Sequence, residues 1–106
     1  MPIAHDLGEA SSFIGRTRHY RLDPPVVVDG RSHDHVVLAI TPRMYKASAE
    51  IRAYPATEFG TCAEVTLSRR VGSFTLRDDY VPGDEAYEDG VRWLSLQHLG
   101  GYEVAK

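Results

Sequence analysis

The chain has 106 residues, with 12 Lys and Arg against 15 Asp and Glu, a formal charge of −3. That length holds one domain, which buries roughly 60–70% of its unfolded surface, and a composition of 42% apolar and 25% charged residues excludes wholesale disorder. The small net charge argues against nucleic-acid binding, and the single cysteine, Cys62, excludes an internal disulfide framework and a four-cysteine zinc site.

Residues 1–15 show no clear period. Gly8, Ser11, Ser12 and Gly15 oppose a helix, so the expectation is a flexible N-terminal arm before one domain over 16–106. The start has neither the basic nor the apolar region of a secretory signal. The longest apolar run, Val36 to Ile40, is far short of the roughly 20 residues that span a bilayer. No membrane contact is expected, and a lone free cysteine suits the reducing cytoplasm.

From Thr17 the pattern turns to strand. Thr17 to Leu22 alternates, with Tyr20 and Leu22 on one face, and Pro24-Pro25 interrupts the ladder because neither proline can donate. Arg16, Arg18, His19, Tyr20 and Arg21 form a basic and aromatic patch. Arg16 and Arg18 point away from Arg21, so the patch does not gather on one face and reads as an edge strand guarded by charge. Val26-Val-Val28 followed by Asp29-Gly30 is a hairpin signal of the I′ type. The return strand is His33 to Thr41, and its unbroken apolar run predicts a central strand covered on both faces, stopped at Pro42.

Ala47 to Tyr54 alternates as a strand and ends at Pro55. Thr61 to Arg69 alternates again, and Gly72-Ser73 turns the chain into Ser73 to Arg77, a second hairpin with Phe74 and Leu76 inward. Asp84 is placed to cap a helix, although Gly90 weakens its middle. Val91, Leu94 and His98 fall at helical spacing, with Trp93 and Leu96 available to bury the helix against the sheet. Gly100-Gly101 supplies a left-handed stop, and Tyr102 to Val104 a last strand. The fold class expected is α+β: one mainly antiparallel sheet of five to six strands with one C-terminal helix.

Three places carry candidate chemistry. His33 and His35 share a face of their strand and could offer two imidazole nitrogens to one metal. A site needs a third ligand, and spacing selects none among His5, His19, His98, Asp29 and Asp78. Cys62 has no histidine beside it to activate it, and nothing in the spacing pairs Glu50, Glu64 or Asp79 as acid and base. The chain contains no phosphate-binding glycine loop and no serine nucleophile motif. No cofactor and no catalytic residue is therefore expected.

The third place is residues 78–89. Asp78, Asp79, Asp84, Glu85, Glu88 and Asp89 stand there with Tyr80 and Tyr87, without a Lys or Arg. An EF-hand loop is excluded, because Tyr80 and Pro82 fall where carboxylates are needed. Tyrosines supply contact area and acids steer a basic partner, so these eight residues are the candidate partner-binding segment. Charge is split accordingly: residues 1–53 carry seven basic and six acidic groups, residues 54–106 five and nine.

The basic residues are ten Arg and two Lys, and Asn is absent, which is the codon signature of a GC-rich genome. Leu22-Asp23-Pro24-Pro25 leading into Val26 to Gly30, then His35-Val36-Val37, Ala53-Tyr54-Pro55-Ala56 and Leu99 to Val104 together resemble small proteins of actinobacterial phages. The resemblance spans roughly residues 20–104 and brings no activity, cofactor or site residue. With no catalytic constellation, one acidic and aromatic segment and a single domain, the expectation is a non-catalytic accessory protein acting by protein contact, on a host protein in the host cytoplasm if the chain is phage-encoded. The alternatives are a minor virion component, with residues 1–15 as an arm, and a metal-dependent enzyme built on His33 and His35.

Overall fold

The computed structural model describes residues 1–10, 16–28, 30–42, 49–56, 74–75 and 84–105. They form one six-stranded sheet with a helix against it. In chain order the elements are β1 (Ile3–Gly8), β2 (Arg16–Val28), β3 (Arg31–Pro42), β4 (Ala49–Pro55), β5 (Phe74–Thr75), α1 (Glu85–Gly100) and β6 (Glu103–Ala105). The sheet order is β5-β4-β3-β2-β1-β6. Every pair is antiparallel except β1 with β6. This is the expected α+β class. The expected strand over 61–69 lies outside the described residues, and of 73–77 only Phe74 and Thr75 are described, paired with β4.

The β2–β3 hairpin follows its turn chemistry. Val28 pairs with Arg31, and Gly30 sits at φ +77°, the left-handed region a primed turn requires. The register then slips. Four residues of β2, Leu22 to Pro25, stand against the single Asp34 of β3. The slip falls where two prolines cannot donate to the ladder. Its size decides the packing. Three extra residues, an odd number, carry Tyr20 and Leu22 onto the face of Val36 and Leu38 rather than that of Val37.

One face of the sheet, with Ala4, Tyr20, Leu22, Val36, Leu38 and Ile40, packs under Val91, Leu96 and Leu99 of α1 and Tyr102 beyond it. A 16-residue helix rises roughly 24 Å, about the width of six strands spaced ~4.8 Å apart. Accordingly α1 touches both β4 and β6. The opposite face is enclosed as well: Val37 and Ala39 are fully buried, and Thr17, His19 and His35 nearly so. The central strand β3 is thus covered on both sides, as its apolar run predicts.

Three expectations are corrected. Residues 3–8 are a strand between β2 and β6, not an arm. Only Ala4 is fully buried there, so a short strand with polar positions shows no hydrophobic period. Strand β2 is interior, not an edge. In α1, Trp93, Leu94 and His98 face solvent, and the buried side carries Glu88, Arg92 and Ser95 beside Val91, Leu96 and Leu99. The polar residues are accommodated because Arg92 lies near Glu88 and the Ser95 hydroxyl donates to the Val91 carbonyl at 2.9 Å.

The helix ends follow the sequence closely. Asp84 caps the N-terminus, its carboxylate accepting from the Tyr87 amide at 3.3 Å, with Glu85 and Glu88 in the first turn beside the positive end of the dipole. Gly101 adopts φ +71° and donates to Gln97, closing the C-terminus. Replacing Asp84 with Ala should cost about 1 kcal/mol in chemical denaturation, while Asp84→Asn should be close to neutral because Asn caps equally well.

Candidate functional site

The candidate segment resolves into two populations of side chains. Asp78, Asp79 and Tyr80 lie outside the described residues. Asp84, Glu85 and Asp89 are exposed on the first turns of α1. Tyr87 is half-buried and packs against the core, and Glu88 is completely buried. The helix period separates them: residues 85, 89 and 93 project outward, while 88, 92, 95 and 99 project toward the sheet.

The inward population forms a charged network between helix and sheet. The Arg92 guanidinium donates to Asp89 at 3.1 Å and lies 3.9 Å from the Glu88 carboxylate. On the sheet below, Arg18 donates to both oxygens of Asp6 at 3.2 and 3.1 Å, which raises the Arg18 pKa. Tyr20 stands opposite Asp6 in the β1–β2 ladder. Burial pushes its phenol up to about 12, with Arg92 and Arg18 pulling the other way. Nε of Arg92 is buried without a hydrogen-bond partner. The Asp6–Arg18 pair and the buried Arg92 and Glu88 hold charge against charge between helix and sheet, and Arg92 reaches from there to the exposed Asp89 at the surface.

The outward population continues the acids with two large apolar residues. Trp93 is 43% and Leu94 48% exposed, on the side of α1 away from the sheet. The indole N–H of Trp93 donates to Glu103 at 3.2 Å, and Gln97 donates to the other oxygen of that carboxylate at 3.1 Å and to the Tyr102 carbonyl at 2.8 Å. One carboxylate of β6 thus fixes both side chains of the helix. Glu85, Asp89 and Trp93 follow one another along one side of α1 at four-residue spacing, acids first and the held indole last, and Leu94 is exposed about 100° further round the helix. Sequence reading placed the acids here but assigned Trp93 to the core. The signal available was the cap: with Asp84 fixed as N-cap, residues 85, 89 and 93 share a face.

The histidines lie elsewhere. His35 turns to His19, not to His33: His19 Nε2 and His35 Nδ1 are 2.8 Å apart, with ring centroids at 4.9 Å. Burial lowers the His19 pKa, and the neighbouring His35 lowers it further. No group of three His, Cys, Asp or Glu side chains that could hold a metal occurs among the described residues. Cys62 and Glu64 lie outside them. No described helix is long and apolar enough to cross a membrane. Comparison with protein-family models, with curated proteins and with solved structures finds no match to this chain.

Proposed function

We propose that this chain is a non-catalytic accessory protein that works by binding another protein through the outer face of α1. The observation that carries this is the Trp93 indole, left nearly half exposed yet held by Glu103, with Leu94 beside it and the exposed acids Asp84, Glu85 and Asp89 upstream. Exposed tryptophan is costly to leave in water and is over-represented at the energetic centres of interfaces. An aromatic anchor beside like charges suits a partner with an apolar pocket next to a basic rim. If the chain is phage-encoded, as the resemblance implies, the partner is a host cytoplasmic protein.

Glu88 leaves the partner-binding set, because full burial withdraws it from contact, while Tyr87 stays half-buried at its edge. The virion reading keeps a β-rich domain as its motive, but residues 3–8 of the supposed arm are strand β1. For the metal-enzyme reading, His35 turns its Nδ1 to His19, which leaves its Nε2 as the nitrogen that could serve as a ligand.

The test is affinity capture from host lysate followed by measured binding of the recovered protein. The Asp84→Asn, Glu85→Gln double variant keeps the cap and removes two exposed charges. Binding should slow in association and lose salt dependence, because exposed charges act mainly on encounter. Unchanged association at low salt would remove the acids from the surface, and capture of no protein would end the reading.

A further inference from the structure

The opposite face of the sheet holds two imidazoles where antiparallel sheets usually place core residues or solvent. His19 and His35 are 4% and 8% exposed. They sit diagonally across the β2–β3 ladder, His19 opposite Val37 and His35 opposite Arg21, and their ring nitrogens meet at 2.8 Å. A contact this short between two nitrogens needs one proton, and only one, between them. His35 Nε2 lies 4.0 Å from an Asp34 oxygen. The tautomer that uses both contacts keeps the His35 proton on Nε2, leaving Nδ1 bare to accept from His19 Nε2–H.

We infer that the His19–His35 pair is an acid-sensitive latch between the two central strands, closed while the rings share a single proton and forced apart when both are charged. A first added proton goes to the bare Nδ1 of His19. The bond survives, but a cation now sits in a buried site. A second proton has only the inner nitrogen of His35 left, and two N–H groups then face each other at bonding distance.

Among the described residues, little offsets either charge. From β1, His5 stands opposite Arg21, and Arg21 itself stands opposite His35, a cation beside the pair. From β3, His33 flanks His35, and among the described residues Asp34 is the near carboxylate, but it is two-thirds exposed and its pull is screened by water. From β4, Tyr54 stands opposite Val37 and Arg52 opposite Ala39. Opening reaches further than the pair, because the His35 carbonyl accepts the Ala56 amide at 3.2 Å at the end of β4.

The direction with pH follows from the lowered His19 value. The unfolded chain takes its proton near the ordinary pH of about 6.5 and the folded chain lower. Stability is therefore full above about pH 7 and falls as pH drops through 6.5 toward the folded value. Each unit by which the ring is held down is a tenfold loss in the folding equilibrium constant, or roughly half to one molar in urea midpoint.

The experiment is a urea titration of the full chain at pH 7.5 and 5.0, with an imidazole NMR titration of the unmodified protein. The wild-type midpoint should fall on acidification, and His19→Gln, which can still donate to His35, should lose most of that fall. The buried His19 ring should titrate below the ordinary histidine value in the folded chain. A wild-type midpoint unchanged between the two pH values, or a His19 ring that titrates at the ordinary value, overturns the latch. The NMR arm decides the matter even if His19→Gln fails to fold.

Discussion

Arg92→Ala should lower the folding free energy by about 3 kcal/mol, the largest single-site loss outside the apolar core, measured as a shift in denaturant midpoint at constant m-value. The reason is the fully buried Glu88 carboxylate, 3.9 Å from the Arg92 guanidinium. Removing the cation leaves that carboxylate desolvated without its opposite charge on the helix, and removal of one partner of a buried pair costs several kcal/mol even where the pair itself contributes little. Asp89 cannot substitute, because it is an anion, and its side chain is 64% exposed. The double variant Arg92→Met, Glu88→Leu should return to within about 1 kcal/mol of wild type, since apolar residues of like volume often replace buried pairs without loss. A single-variant loss under about 1 kcal/mol would show that Glu88 is held by its other contacts and that Arg92 serves only Asp89.

That network also explains why the helix was half legible. Its ends were readable because caps are local chemistry: Asp84 must accept amide protons and Gly101 must reach positive φ, whatever the sheet does. Its inward face was not, because periodicity assumes that polar residues point outward. Here Glu88, Arg92 and Ser95 point inward with partners and Trp93 and Leu94 point outward, so the apolar pattern is displaced around the helix. The same contrast holds in the sheet. The turn at Asp29-Gly30 and the buried run of β3 come from neighbouring residues. The His19–His35 contact depends on a three-residue slip at Leu22 to Pro25 that no local pattern counts. Had the hairpin continued in its starting register, His19 would occupy the other face relative to His35 and the pair could not form.

Trp93→Ala should weaken partner binding by at least 30-fold, about 2 kcal/mol, while leaving the urea midpoint nearly unchanged. The two readouts separate because the indole contributes contact area outward and little to the core: it is 43% exposed and absent from the buried cluster. The size of the effect rests on how the ring is held. An indole fixed by Glu103 has lost its rotamer freedom before the partner arrives, so less entropy is lost on association. Glu103→Ala should therefore weaken binding by a smaller factor, about fivefold, without touching any atom the partner contacts. Glu103→Gln, whose amide oxygen still accepts from the indole, should restore most of it. Trp93 is the sole tryptophan, so its fluorescence reports the event directly, and emission should move to shorter wavelength as the partner covers the ring. Emission unchanged in a saturated complex would place the interface elsewhere. A Glu103→Ala loss equal to that of Trp93→Ala would move the energetic centre from the helix to β6.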